Sequence, residues 1–319
     1  MSYREADLSR LRLVSRGARA HKVEQGLLAH PPGADRSFHA FLDSLPDQLG
    51  ARSLRAVIAA VAAAARHRRG VVVMLGGHVI KVGLGPLLVE LIQRKIITHV
   101  AMNGSGAIHD WELAVCGETS EDVAAGLADG TFGMVAETGA EMNEAIRVAA
   151  AADLGLGEGF ANGLAARKEL PGGSASILLA CAKADIPVTV HAAIGAETIH
   201  QHPAIDAAAL GATTHRDFLR LAGSLPDLHD GGVVLNLGSA VIMPEVFLKA
   251  LTIARNLGQG RPTGFLAADF DMLRHYRPRV NVVERPTQGN GTGVQLTGHH
   301  ELMIPLLVWG VLDALEPDR

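Results

Sequence analysis

The sequence predicts an α/β protein, a parallel sheet with helices packed on both of its faces. Three observations lead there. Val71-Val72-Val73-Met74-Leu75, Ile186-Pro187-Val188-Thr189-Val190 and Val233-Val234-Leu235-Asn236-Leu237 are apolar runs too short for helices, and each ends in glycine or a polar loop. Runs without polar–apolar alternation read as strands buried on both faces, as in a parallel sheet. Residues 71 to 112 then spell strand, glycine turn, helix, strand, glycine turn. That is a βαβ unit, whose crossover should be right-handed. In such sheets ligands lie beyond the carboxyl ends of the strands, where both glycine turns fall.

The elements follow in order. Residues 1 to 50 are polar and irregular and are expected to form an extension packing on the main domain. Within them Phe38, Phe41, Leu42 and Leu45 keep the i, i+3, i+4, i+7 spacing of a short amphipathic helix. Residues 51 to 319 show no repeat and no linker, so one α/β nucleotide-binding domain is expected there. Arg52 to Arg68 is Ala-rich and helical, leading into the first strand. Gly76-Gly77-His78 ends that strand, and Leu84, Leu87, Leu88 and Leu91 mark a helix over Gly83 to Arg94. Ile96 to Met102 is the second strand, closed by Asn103-Gly104-Ser105-Gly106.

Thr119-Ser120-Glu121-Asp122 reads as a helix start with carboxylates in its first turn. Thr138-Gly139-Ala140-Glu141 fits a capping box opening a helix to about Ala152. The glycine-rich stretch from 153 to 173 reads as a mobile loop broken by a short helix over Asn162 to Lys168, and Ser174 begins another helix. Pro244 suits a helix's first turn and Gly258 its end. Phe265 to Asp269 and Val280 to Glu284 are expected strands. Gly289 to Gly298 is an expected loop before a last helix containing Pro305.

Composition excludes several classes. A net charge of -4 leaves no footprint for nucleic acid and no pull toward a membrane surface. The charged start, Met1-Ser2-Tyr3-Arg4-Glu5-Ala6-Asp7, lacks a signal-peptide core, and no apolar stretch is long enough to span a bilayer. With only Cys116 and Cys181, neither a disulfide framework nor a cysteine metal site is spelled. A cytoplasmic protein is expected.

The glycine turns carry the clearest chemical signal. Gly76, Gly77, His78 and Gly83 follow the first strand, Asn103, Gly104, Ser105 and Gly106 the second, and Gly238 and Ser239 the fourth. None spells G-x-G-x-x-G, yet glycines allow close backbone approach and a helix N-terminus favours an anion such as phosphate. Three such turns on one edge favour a nucleotide over mere tight turns. His109 and Asp110, just past the second turn, suit a general base or a substrate contact; the alternative is a capping aspartate beside a solvated histidine. His299-His300-Glu301 invites the same two readings, and the strand-end residues Glu284 and Arg285 fit an ion pair or a ligand contact. His191, Glu197, His200, His202 and His215 form a histidine-rich cluster whose residue types suit zinc. Their spacing matches no metal motif, so histidines meeting substrate is the preferred reading and metal the alternative.

The order of strand, Gly-x-x-x-x-x-x-Gly, helix, Asn-containing glycine loop and acidic helix start resembles the deoxyhypusine synthase family. The parallel runs from about Val71 to Cys116, through Ile186-Pro187-Val188 and Gly231 to Ser239, to Ile304-Pro305-Leu306-Leu307. The resemblance implies a Rossmann-like sheet that binds NAD, and homo-oligomers, dimers or tetramers, whose sites form between subunits. The departures are specific. Where the family carries two glutamates and an aspartate, this chain has Ile108, His109 and Asp110; where the family places further aspartates, Gly195 and His200 stand. The family's imine-forming lysine should follow Gly238-Ser239, but Ala240 to Phe247 contains none and Lys249 comes a turn too late. Without that amine the covalent aminobutyl transfer has no nucleophile. The expectation is therefore an enzyme on this scaffold using NAD or a related nucleotide with a small non-polyamine substrate. His109, Asp110, His191, His200 and Glu245 would face that substrate, converging on one pocket. The alternatives are a metal-dependent lyase or hydrolase using His191 to His215, and a non-catalytic nucleotide-binding protein.

Overall fold

The computed structural model describes residues 3–258 and 260–316. Six strands form one all-parallel sheet in the order β3-β2-β1-β4-β5-β6. They are β1 (Val71–Leu75), β2 (His99–Asn103), β3 (Val188–His191), β4 (Val233–Leu237), β5 (Leu266–Asp271) and β6 (Thr292–Thr297). Val73 pairs with Val100 on one side and Leu235 on the other, so β1 is central and the direction of chain travel reverses between β1 and β4. That is the doubly wound order, whose crevice opens at the reversal.

The lack of alternation in the strand sequences has a direct cause. Val71, Val73 and Leu75 enter one apolar cluster while Val72 and Met74 enter the other, so both faces of β1 are covered. Helices α1 (Phe38–Ser44), α2 (Leu49–Arg66), α3 (Gly77–Lys81), α4 (Gly85–Gln93), α5 (Gly104–Cys116), α6 (Val123–Asp129), α7 (Ala136–Ala151), α8 (Leu156–Ala165), α9 (Ile177–Ala184), α10 (Ala207–Ser224), α11 (Ile242–Leu257), α12 (Tyr276–Pro278) and α13 (His300–Leu315) surround the sheet. α2 and α13 cover the larger cluster, and they approach closely because a Cβ at Gly310 would lie 2.4 Å from Ile58 Cδ1. α10 and α11 supply Leu221 and Phe247 to the smaller cluster.

At the β3 edge, α10 reaches across with two side chains. Asp217 Oδ2 accepts the Val190 N–H at 2.7 Å and the Gly157 N–H of α8, also at 2.7 Å. Thr214 Oγ1 donates to the Val190 carbonyl at 3.0 Å and accepts the Ala192 N–H at 2.9 Å.

Four expectations about elements are corrected. Val280 to Glu284 is a π-helical turn (Arg279–Glu284), not a strand, because Pro278 leads in with helical backbone and Val282 and Val283 bury themselves against the sheet as a helix face. The sixth strand lies inside the expected loop from Gly289 to Gly298. Its flanking glycines hid a short alternation in which Val294 and Leu296 point inward. The stretch from 153 to 173 is not mainly loop; α8 starts at Leu156, and its glycines let it pack closely, a Cβ at Gly157 lying 2.3 Å from the Val188 carbonyl oxygen. Thr138 does not cap α7, which starts at Ala136. Its hydroxyl donates to Glu112, and Glu141 is taken by Arg167.

Candidate functional site

α5 begins directly from β2, with Asn103 Oδ1 accepting the Gly106 N–H at 2.9 Å to cap its first turn. One face of α5 therefore stands at the carboxyl edge of the sheet. There a cavity of about 870 Å³ opens, lined among others by Lys81, Gly83, Ser105, His109, Glu112, Thr119 and Glu197.

His109 is held by a relay. Thr119 Oγ1 donates its only hydrogen to Glu112 Oε2 at 2.5 Å, so at 2.8 Å it can only accept from His109 Nδ1. The proton is thus on Nδ1, and among the described residues no group hydrogen-bonds Nε2. Thr138 Oγ1 donates to the other Glu112 oxygen at 3.1 Å, fixing the carboxylate from both sides. Burial, reinforced by Lys81 and opposed by Glu112, holds the His109 pKa below the usual histidine range. The result is a neutral imidazole with an unshared pair on Nε2.

Glu197 is the second feature. Its oxygens accept the Ala193 N–H at 3.0 and 3.1 Å and the Gly104 N–H, so it sits on the N-terminus of α5. A Cβ at Gly104 would lie 2.6 Å from this carboxyl group. His200 Nδ1 accepts the Gly195 N–H at 3.1 Å, leaving Nε2–H to face Glu197 Oε2 at 3.2 Å. Burial pushes Glu197 up to about 7 against the pull of the two backbone N–H groups.

The five residues expected to face substrate separate. His109 lines the cavity, and His200 stands behind Glu197. Asp110 is fully buried on the opposite side of α5, accepting from Ser176 Oγ at 2.6 Å, Ile177 N at 2.8 Å and Leu178 N at 3.0 Å. His191 is buried with Nε2 3.0 Å from Thr189 Oγ1. Glu245, in the first turn of α11, accepts from Lys249 and from Asn281 at 2.8 Å. The four residues His109, Asp110, His191 and His200 do not share one cavity.

The turn residues are also placed. A Cβ at Gly77 would lie 2.4 Å from Ser105 Oγ, so this glycine lets α3 pack on α5. Gly76 meets the Gly238 carbonyl oxygen across the crevice between β1 and β4, and Ser239 Oγ accepts the Met243 N–H at 3.2 Å. His78 lies with its ring centroid 5.3 Å from that of His300. His300 Nε2–H donates to the Phe270 carbonyl at 3.1 Å, and its buried Nδ1 has no partner among the described residues. Gly83 separates α3 from α4.

The cavity adds residues that sequence reading had not assigned to a site, Lys81, Glu112, Thr119 and Thr138, and takes Glu197 from the histidine-rich cluster. The spacing His109-x-x-Glu112 on a helix could have flagged one of them; nothing local marks Thr119. In the histidine-rich cluster, His202 Nδ1 accepts the Ala204 N–H and His215 packs beside Phe218. Among the described residues no group of three or more His, Cys, Asp or Glu is placed to hold a metal ion. Likewise no described helix is long and apolar enough to cross a membrane.

Comparison with known proteins places the fold. No family model and no curated protein matches the sequence. Among solved structures, one similar chain is a protein from Entamoeba histolytica assigned as a deoxyhypusine synthase. It has a TM-score of 0.53 and 11% identity, over 87% of this chain and 93% of that one. Another is a Methanococcus maripaludis S2 protein of the LOR/SDH type, with a TM-score of 0.50 and 15% identity over 84% of this chain and 71% of that one. A ternary complex of AgrE with ornithine and NAD+ superposes at a TM-score of 0.49 with 17% identity; 82% of this chain spans only 33% of that longer protein. Identities this low speak for architecture alone: this chain has the fold of the deoxyhypusine synthase-like and LOR/SDH-like proteins.

Proposed function

We propose that the protein is an enzyme that binds NAD or a related nucleotide along the carboxyl edge of its sheet and removes a proton from a small, non-polyamine substrate. The observation that carries this reading is His109, neutral and with its proton fixed on Nδ1, at the wall of a cavity of about 870 Å³. Nε2 takes the substrate proton, and the imidazolium so formed is held by Thr119 and, through it, by Glu112. A positioned base of this kind is worth about 10²–10⁴ in rate. Lys81 supplies a cation at the same cavity to hold an oxygen that becomes negative.

The nucleotide is assigned to the reversal point between β1 and β4 because that is where doubly wound sheets take such ligands. Gly76 and Gly238 let the two strand ends and the His300 ring approach closely there, a Cβ at Gly238 lying 2.7 Å from that ring. When bound, NAD would supply a hydride acceptor. Exclusion of polyamine chemistry rests on the missing amine rather than on charge, since Glu118 and Glu121 remain at the cavity mouth. Lys249 is ion-paired with Glu245 on α11 and does not line the cavity. Incubation with spermidine, NAD and a lysine acceptor should therefore leave no borohydride-trapped adduct.

The test is native mass spectrometry of freshly purified protein, followed by dinucleotide reduction across a panel of small hydroxy and amino acids. Copurified dinucleotide and a turnover that falls at least about 10²-fold in His109→Gln, at unchanged melting temperature, support the reading. Turnover unaffected by His109→Gln, or a protein that takes up no dinucleotide at millimolar concentration, overturns it.

A further inference from the structure

A second polar chain lies away from the His109 cavity, on the face of the sheet covered by α10. Ser224 Oγ, at the end of α10, is 2.9 Å from His99 Nδ1. His99 Nε2 is 3.0 Å from Thr189 Oγ1, and Thr189 Oγ1 is 3.0 Å from His191 Nε2. His99, Thr189 and His191 are buried, at 1%, 1% and 3% exposure. Ser224, His99 and Thr189 line a separate cavity of about 630 Å³ at the amino-terminal ends of β2 and β3. His191 does not line it. It lies at the other end of β3, paired with Asn103, one residue before the glycine that receives Glu197.

We propose that Ser224, His99, Thr189 and His191 form a proton relay along one face of the sheet, joining the cavity at the foot of β2 and β3 to the carboxyl edge. The proposal rests on the reading that the carboxyl edge is where chemistry occurs. Two arrangements satisfy the chain, and both are neutral. In the first, Ser224 O–H donates to His99 Nδ1, His99 Nε2–H donates to Thr189, and Thr189 O–H donates to His191 Nε2, leaving the His191 proton on Nδ1. In the second every hydrogen points back: His191 Nε2–H to Thr189, Thr189 O–H to His99 Nε2, His99 Nδ1–H to Ser224, and Ser224 O–H to the Leu221 carbonyl, 2.9 Å away.

Passing from the first to the second moves one proton. Ser224 gives its hydrogen to His99 and takes another from a hydronium ion in the cavity, His99 passes its Nε2 proton to Thr189, Thr189 passes one to His191 Nε2, and His191 releases its Nδ1 proton to water at the carboxyl edge. One proton enters and one leaves, with every group neutral before and after. Burial pushes His99 down to about 4 and His191 to about 3, so both rings stay in the neutral form that has one donor and one acceptor. The reverse hop is needed to reset the chain. The relay therefore lends a proton and takes it back, which suits a reaction that removes and later returns one.

The test reads tautomers rather than activity, so its failure would leave the His109 reading standing, and the reverse. Protein labelled with ¹⁵N-histidine, with signals assigned by single substitution, is examined at neutral pH by long-range ¹H–¹⁵N spectra. The relay requires opposite tautomers on His99 and His191, one carrying its proton on Nδ1 and the other on Nε2. Thr189→Val should uncouple the two rings and slow solvent exchange of the His191 ring proton by about tenfold. Thr189→Ser should restore both. Ser224→Ala reads the same exchange if the valine variant does not fold. The same nitrogen protonated on both rings, or exchange at His191 indifferent to Thr189→Val and Ser224→Ala, overturns the relay.

Discussion

Two of the helix N-termini met by a buried carboxyl group from elsewhere in the chain differ in what surrounds that group. At α9, Asp110 takes the Ser176 hydroxyl and two backbone N–H groups, and among the described residues no other hydrogen bond reaches its carboxyl group. At α5, Glu197 takes two backbone N–H groups but also lines a cavity and faces His200. The physics is common to both, since the unpaired N–H groups and dipole of a helix start favour an anion. The difference lies in the surroundings. Where the carboxyl is sealed, it joins α5 to α9 and belongs to the fold. Where it borders a cavity, the same arrangement leaves a group that can exchange a proton with whatever enters.

The largest expected effect breaks the sealed member. Asp110→Ala strands the N–H groups of Ile177 and Leu178 and the Ser176 hydroxyl in the core, and should cost about 3 kcal/mol or more in urea denaturation. Asp110→Asn, which keeps one acceptor oxygen, should cost less. If Asp110→Ala leaves stability untouched while abolishing activity, the division between sealed and open carboxyl groups collapses.

Glu197→Gln sharpens the other side. The folded pKa of Glu197, about 7, lies above its ordinary 4.5. Its contribution to stability is therefore fully present below about 4.5 and is lost as pH rises toward 7. Gln does not ionise, so the fall in stability across that window should become shallower, by up to about 1.4 kcal/mol per pH unit. Asp110, Asp217 and Asp269 are raised as well and will keep part of the slope. Urea unfolding at several pH values measures the change; an unaltered slope would mean that Glu197 is solvated in solution.

A third carboxylate completes the series. Glu245 stands in the first turn of α11 with its side chain 37% exposed, among Lys249, Arg277 and Asn281. Lys249 first, and Arg277 with Asn281, hold its pKa below the usual range. In open solvent such pairs contribute little, so Glu245→Gln should shift stability by less than about 1 kcal/mol. A larger loss would show that the polar group around Asn281 is tighter than its exposure implies.

The sheet was legible because its strands are covered on both faces, and continuous apolar runs such as Val71 to Leu75 say so directly. β6 escaped because an edge strand needs only Val294 and Leu296, and the glycines around them read as loop. The valines from 280 to 283 misled because β propensity is local, while the packing that bends them into a helical turn is not. At the site, His109 could be singled out from its place after a glycine turn. The bond that fixes its proton comes from Thr119, ten residues on, and no local pattern encodes that contact. Asp110 shows the converse: adjacent to His109 in sequence, it points the other way because neighbouring helical positions face different sides.

The border of the sheet at β3 carries a consequence for how copies of this protein can meet. A strand at the end of a sheet ordinarily offers its outward amides and carbonyls to any passing chain. Here Asp217 and Thr214 occupy the outward groups of Val190 and Ala192, while α8 lies across the Val188 carbonyl. A seventh strand cannot be added on that side without first stripping α10 away. Association through β-augmentation is closed there, and with it one common route to amyloid-like growth; on this flank, partners must meet helices.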